Sequence, residues 1–553
     1  MNRHFIFIIT VLVFIGCQKI DKREFYVKPI KVVCDYPFND TTKWAITCRV
    51  WGLLKYYHPN VTSGKLDWDK VLLDRLDKIN KAYTSEQVNL ELMQMIRTAG
   101  TYKGTIDKKW KDSLNMNVNL CWLDNSFINE TIRQELREIA SLKVKQPSHY
   151  VGNTEIGSLT FDNEKDYDKT NLIIFYDYRL LAFFRYWNVI YYFFPYKYLM
   201  DQSWDTILEE FIFQFIKADD FEKYSKVILQ LATKINDGHG YTTISPLADP
   251  YTRITDLIDS LTVIRNPPKQ SLLEKGDIIL SINGKNIGEL RDSLSAIIPS
   301  SNLHYRNAMI NAWINQSILN VCSLSIKRNQ QSLAVNNDSK IFLIKDESKP
   351  YYLILPDIGY IDLGVLKTSE IEDMFESFEN TRGIIFDLRN YPRHLNQWQF
   401  FCHLSSIQRH YYAQANLADL SHCGAFYIYN ERCIMAYSDE KFNACKKYKG
   451  EKVVLINEVT MSAAETAAFS FKIHGSTLIG TPTAGANGNV AIFRMPGGID
   501  SYFTSIGYYF PDGKQMQRIG IIPDIEVYPT MESILEGKDE ILEEAIKYIN
   551  NLK

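Results

Sequence analysis

Two side chains far apart in the chain have the types needed for acyl transfer, a hydroxyl and an imidazole. Ser462 follows Val453–Ile456, a short apolar run of β-formers that reads as a buried strand, and the polar corner Asn457-Glu458-Val459-Thr460. It opens a run rich in Ala and Phe that reads as a buried helix. A serine there lies beside the unpaired N–H groups of a first helical turn, which can hold an oxyanion. The same position also suits an ordinary helix cap. His239 lies in Asn236-Asp237-Gly238-His239-Gly240, at the join between a helical pattern (Phe221 to Ile235) and a strand. The flanking glycines free the backbone direction and present the ring at an element end. A structural histidine fits the same pattern. Glu465, one turn beyond Ser462, suits either an acid near the nucleophile or a group that closes the helix start. Asp237 reads as structural.

The elements that must position these groups are visible in outline. From about 350 onward strands and helices alternate. Gly359–Gly364 and Gly383–Asn390 read as strands, Glu370–Phe378 as a helix between them, and Ser476–Gly480 as a further strand, which together argue for an α/β core. Residues 246–345 are β-rich. There Gly276–Gly284 reads as a strand closed by an Asn-Gly turn, followed by a helix from Glu289 to Ile298. Ahead of this stands a repeat. Trp51 to Pro59 followed by Trp68-Asp69 reappears as Trp187 to Pro195 followed by Trp204-Asp205, an offset of 136 residues for both tryptophans. Each copy reads as a helix ended near the proline, a loop, and a second helix from Trp-Asp, so the region is a duplicated helical hairpin with an aromatic core. Between the copies, Leu159–Phe161 and Asn171–Phe175 read as short strands.

The net charge of -3 gives no electrostatic case for a nucleic-acid partner. Phe5–Ile15 is an apolar run ending at Gly16-Cys17, with the shape of a signal peptide and lipobox, so Cys17 is the expected lipid-anchor site and the cell envelope, periplasmic or surface, the expected location. Nine cysteines carry no CxxC pair, which argues against zinc, and an exported chain can form disulfides from them. No metal or cofactor is expected.

Six separated segments occur in an order that resembles the S41 peptidases, including the C-terminal processing and tricorn-like peptidases. They are Asp237–His239, Gly276–Gly284 (similar to a PDZ domain), Asp387–Asn390, Asn457–Glu465, Gly480–Gly488 and Gly520–Asp524. The resemblance covers about residues 175 to 530. It implies a multidomain α/β protein: signal peptide 1–17, mainly helical region with the internal repeat 18–245, PDZ-like domain 246–345, and S41 protease core 346–553. It implies Ser462 as nucleophile. The lysine base of processing peptidases is missing from the turn Thr483–Gly488, and Lys472 lies ten residues along the presumed helix, about 15 Å away. His239 occupies the place of the tricorn-like base. The Ala463 N–H would be one oxyanion donor. Where the family has glycines for the second, this chain has Arg393-His394, whose Arg393 N–H remains a candidate. Where tricorn-like enzymes have a glutamate this chain has Gln517, so Gln517 and Glu465 are both candidates for the group that orients the imidazole. The implied activity is serine endopeptidase action on extended or unfolded polypeptides. The alternative is a peptide-binding surface lipoprotein on the same fold.

Overall fold

The prolines set the frame of the helical half. His58 and Phe194 each precede a proline and are therefore held out of the helical region, at ψ 122° and 119°. The preceding helices α1 (Asp40–Tyr57) and α3 (Tyr176–Phe193) stop there, and α2 (Trp68–Asn80) and α4 (Trp204–Lys217) start at the expected Trp-Asp positions. The computed structural model describes residues 37–104, 115–168, 170–246, 248–337, 340–341, 349–394, 397–429, 434–436 and 439–552. The expected signal peptide and Cys17 lie outside these residues.

The two hairpins are locked in the same way. In the first copy the Trp51 indole donates to the Trp68 carbonyl (3.1 Å) and the Trp68 indole to the Trp51 carbonyl (3.0 Å). In the second, Trp187 and Trp204 exchange the same bonds at 2.9 and 3.0 Å. All four rings are buried, as an aromatic core requires. The copies also cross-pair. Arg49 of the first binds Asp205 of the second (2.7 Å), and Arg185 of the second binds Asp69 of the first (2.6 Å). Arg49 and Arg185 share the 136-residue offset, as do Asp69 and Asp205, so the hairpins meet as a pseudo-twofold pair. Lys55 and Glu164 complete a buried cluster around Arg185 and Asp69. Helix α5 (Phe221–Thr233) leads to the His239 loop. The expected strand at Asn171–Phe175 is instead a 3-10 turn, Thr170–Ile174. It buries Ile173 and leaves Ile174 and Phe175 exposed, a pattern set by docking beside α3.

Next comes an antiparallel sheet whose main path runs in sequence order, β1 (Thr255–Ile258), β2 (Leu261–Ile264), β3 (Ile278–Ile282), β4 (Cys322–Arg328) and β5 (Gln331–Asn337), with the short strand Lys285–Asn286 pairing β3 off that path. Asn283 and Gly284 both have positive φ (50° and 75°), the backbone of the expected Asn-Gly turn. Two helices cover this sheet, α6 (Ile287–Ser295) and α7 (Leu303–Leu319); the second has no counterpart in the sequence reading.

The last sheet has six strands. Its order is β6 (Tyr351–Leu355), β7 (Ile358–Asp362), β8 (Gly383–Asp387), β9 (Glu451–Ile456), β10 (Thr477–Gly480) and a short edge strand, Ile525–Glu526. β6 and β7 are antiparallel and the other pairs parallel. Helix α8 (Ala463–Ile473) packs on one face with Phe386, Val454 and Ile456, and the C-terminal helix Glu540–Asn551 on the other with Ile385, Val453 and Leu455. Covering both faces explains why β8 and β9 read as continuous apolar runs. Between β10 and the edge strand comes a hairpin of β11 (Val490–Met495) and β12 (Ile499–Thr504).

Candidate active site

Ser462 stands at the corner between β9 and α8 with φ 58° and ψ -121°, a left-handed backbone that costs a non-glycine residue about 1–3 kcal/mol. The surroundings hold it there. Its N–H points to the Ala486 carbonyl (3.1 Å) and a Glu465 carboxylate oxygen (3.2 Å). The preceding corner is pinned by the Thr460 hydroxyl, which donates to the Leu388 carbonyl, and by Ala484, whose N–H reaches the Thr460 carbonyl. Ser462 is half-buried. Among the described residues the Ala463 N–H has no acceptor, so it remains available as an oxyanion donor.

Glu465 is fully occupied. Its carboxylate accepts from the Thr483 hydroxyl, the Gly485 N–H (2.8 Å), the Ala486 N–H (3.0 Å) and the Ser462 N–H. It ties the turn Thr483–Gly488 to the helix start and makes no contact with the imidazole. Burial pushes its pKa up to about 7 against the pull of these donors. Of its two expected roles, the structure gives it the bracing one. Gly485 has φ 66°, and a Cβ there would lie 2.8 Å from the Arg518 backbone.

His239 is buried beside β12. Its loop is stitched to that strand by Tyr502 N–H to Tyr241 O (2.9 Å) and Thr243 N–H to Asp500 O (2.9 Å). The imidazole Nδ1 lies 3.0 Å from the Thr504 hydroxyl and 4.0 Å from Asp237 Oδ1. Burial lowers its pKa below 6.5, while the Asp237 charge raises it. Asp237 accepts from the Thr504 N–H (2.7 Å) and hydroxyl (2.9 Å), the His239 N–H (3.1 Å) and Gln517 Nε2 (3.1 Å). Gln517 is thus a partner of Asp237 and not of the imidazole, and its buried Oε1 has no partner. Sequence reasoning missed Thr504 altogether.

One contact surface brings the two halves of the site together. A Cβ at Gly238 would lie 2.8 Å from Ala486 Cβ, and Ala486 is the residue that accepts the Ser462 N–H. The start of α7 clasps both sides. Asn302 donates to the Thr483 carbonyl (3.0 Å), Ser301 to the Ala484 carbonyl, and a Cβ at Gly238 would lie 3.3 Å from the Tyr305 ring. Among the described residues no hydrogen bond joins the Ser462 hydroxyl to the imidazole; such bonds commonly tighten only when substrate binds.

The other sequence-derived groups stand elsewhere. The Arg393 N–H is bonded to the Tyr391 carbonyl (2.9 Å), which takes it out of use as an oxyanion donor in this conformation. That bond closes a three-residue turn centred on Pro392. Lys472 pairs with Asp524 (2.6 Å). Arg389 braces Asp387 to Asp539. Cys402, His403 and Cys445 are the described group with three potential metal-ligand atoms within 4.8 Å, and the two cysteines are joined as a disulfide.

Residues 405–527, which include Ser462, Glu465, Thr504 and Gln517, match the sequence model of peptidase family S41. Mature CPAF has a similar fold, with a TM-score of 0.52 at 13% identity over 69% of this chain and 99% of that one. A point mutant of CPAF gives 0.53 at 12% identity, over 69% and 98%. The photosystem II D1 C-terminal processing protease aligns over 66% of this chain and 98% of its own, at 15% identity and a TM-score of 0.36. No curated protein matches the sequence.

Proposed function

We propose that the chain, whose residues 405–527 match the sequence model of peptidase family S41, is a serine endopeptidase acting on extended or unfolded polypeptides through a Ser462 acyl-enzyme. The observation that carries the reading is the corner itself: a serine held at φ 58° with the next N–H, that of Ala463, free. The Ser462 hydroxyl gives its proton to His239 Nε2 as Oγ bonds to the scissile carbonyl carbon. The carbonyl oxygen takes the electron pair and faces the Ala463 N–H. The intermediate collapses, the C–N bond breaks, and the imidazolium proton leaves on the amine. Water, deprotonated by the same imidazole, then splits the ester and returns the hydroxyl.

The antiparallel sheet β1–β5 suits a role in holding extended substrate, as strand addition to a PDZ-like sheet does. Attachment to the cell envelope through lipid on Cys17 belongs to the same proposal and rests on the sequence at residues 5–17.

The test is Ser462→Ala, assayed on an unstructured polypeptide, together with a serine-reactive phosphonate. Hydrolysis is expected to vanish in the variant, and the wild-type chain should be labelled on Ser462. Hydrolysis that survives in the variant refutes the assignment. Binding of peptide by a wild-type chain that the phosphonate does not label points to a holding protein instead.

A further inference from the structure

We propose that Asp237 is the charge partner of the His239 imidazole and acts through the Thr504 hydroxyl, so that imidazole, hydroxyl and carboxylate form one line. The proposal rests on the Ser462–His239 reading above. A threonine hydroxyl has one proton to give. Thr504 lies 2.9 Å from Asp237 Oδ1, and Asp237 is surrounded by four donors, which leaves its carboxylate only the role of acceptor. The Thr504 proton is therefore committed to Asp237. Its oxygen must then accept from His239 Nδ1, 3.0 Å away. That places the neutral imidazole's proton on Nδ1 and its lone pair on Nε2, the tautomer a general base needs.

Asp237 is 4.0 Å from Nδ1, too far for a direct hydrogen bond but close enough to stabilise an imidazolium in a buried site. The intervening hydroxyl is polarised by the carboxylate and passes the effect on. Gln517 completes the arrangement. Its amide donates to Asp237, whereas a glutamate there would set a second negative charge against it. The other titratable groups around this line are Tyr305 on α7, Tyr186 on α3 and Tyr196. All three are pushed up by burial and stay neutral while the imidazole titrates. Glu465 stands beyond Ala486. Thr504 and Asp237 are positioning residues, since both act through the imidazole.

The experiment uses the full chain with Thr504→Val and Thr504→Ser, reading kcat, KM and the acid limb of kcat/KM on an unstructured peptide. Thr504→Val is expected to lower kcat about 10- to 100-fold with little change in KM. It should also move the acid limb to lower pH, because the imidazolium loses its link to the buried charge. Thr504→Ser should recover both. An unchanged limb in Thr504→Val, or equal impairment in Thr504→Ser, overturns the relay. Should the valine variant fail to fold, nitrogen-15 shifts of His239 in the wild-type chain decide the matter: a protonated Nδ1 supports the line and a protonated Nε2 refutes it. That measurement needs no turnover, so it stands apart from the Ser462→Ala test of the peptidase reading.

Discussion

Replacing Glu465 by glutamine should change how stability depends on pH, in a direction that can be worked out from the site. The carboxyl is buried beside four donors and its folded pKa is raised from 4.5 to about 7. A raised pKa means that the folded state favours the protonated form. The contribution is thus fully present below the unfolded pKa and is lost as pH rises through the folded one. A difference of about 2.5 units corresponds to about 3 kcal/mol, lost between roughly pH 4.5 and pH 7. Glutamine cannot titrate, so this dependence disappears. It also turns an N–H toward donors that the second oxygen accepted, Ala486 N–H and Ser462 N–H or Thr483 and Gly485, at a pH-independent cost of about 1–3 kcal/mol. Urea unfolding of both chains at pH 4.5 and pH 8 isolates the effect, because the other titrating groups are common to both. Wild-type stability relative to Glu465→Gln should fall by about 3 kcal/mol between these pH values. A constant difference would show that Glu465 ionises as easily folded as unfolded, and would remove burial as the force that dominates this carboxyl.

Two further outcomes follow from strain and charge. Ser462→Gly should be more stable than Ser462→Ala by about 1 kcal/mol in chemical denaturation, since glycine accepts φ 58° and alanine does not, the relief being partly offset by its greater unfolded-state freedom; equal stabilities would mean that the corner is unstrained. Asp69→Asn should destabilise the chain by about 3–5 kcal/mol, because it leaves Arg185 and Lys55 with one buried carboxylate, and Asp205→Asn should cost less, its side chain being 20% exposed against 4% for Asp69; the reverse order would contradict the burial argument.

The parts of the fold legible from sequence were those fixed by local chemistry. Prolines at 59 and 195 end helices whatever surrounds them, and the strand at Val453–Ile456 reads plainly because both faces of its sheet are covered. The tryptophan offset revealed the duplication, and the same offset relates Arg49 to Arg185 and Asp69 to Asp205, so a signal for the cross-pairing was present. What it lacked was any local hint that the copies face each other. Helix α7 was hidden for another reason: its pattern Leu303–Leu319 mixes asparagines such as Asn311 and Asn315 into the buried face, where Asn315 caps backbone and hydroxyl groups of Thr255.

The candidate catalytic groups divide along the same line. Ser462, Ala463 and Glu465 were legible because one strand-to-helix corner contains all three. The group proposed to complete the imidazole was not, since Thr504 and Asp237 are 267 residues apart and meet only where the His239 loop is stitched to β12. The resemblance puts Gln517, a neutral side chain, where tricorn-like enzymes have a glutamate. The proposed line from Asp237 to the imidazole turns that reading around. An amide at 517 is what a site needs if its negative charge already arrives from the other side, on Asp237, because the amide can donate to that carboxylate where an acid would repel it. On that proposal the absence of glutamate at 517 is no argument against turnover.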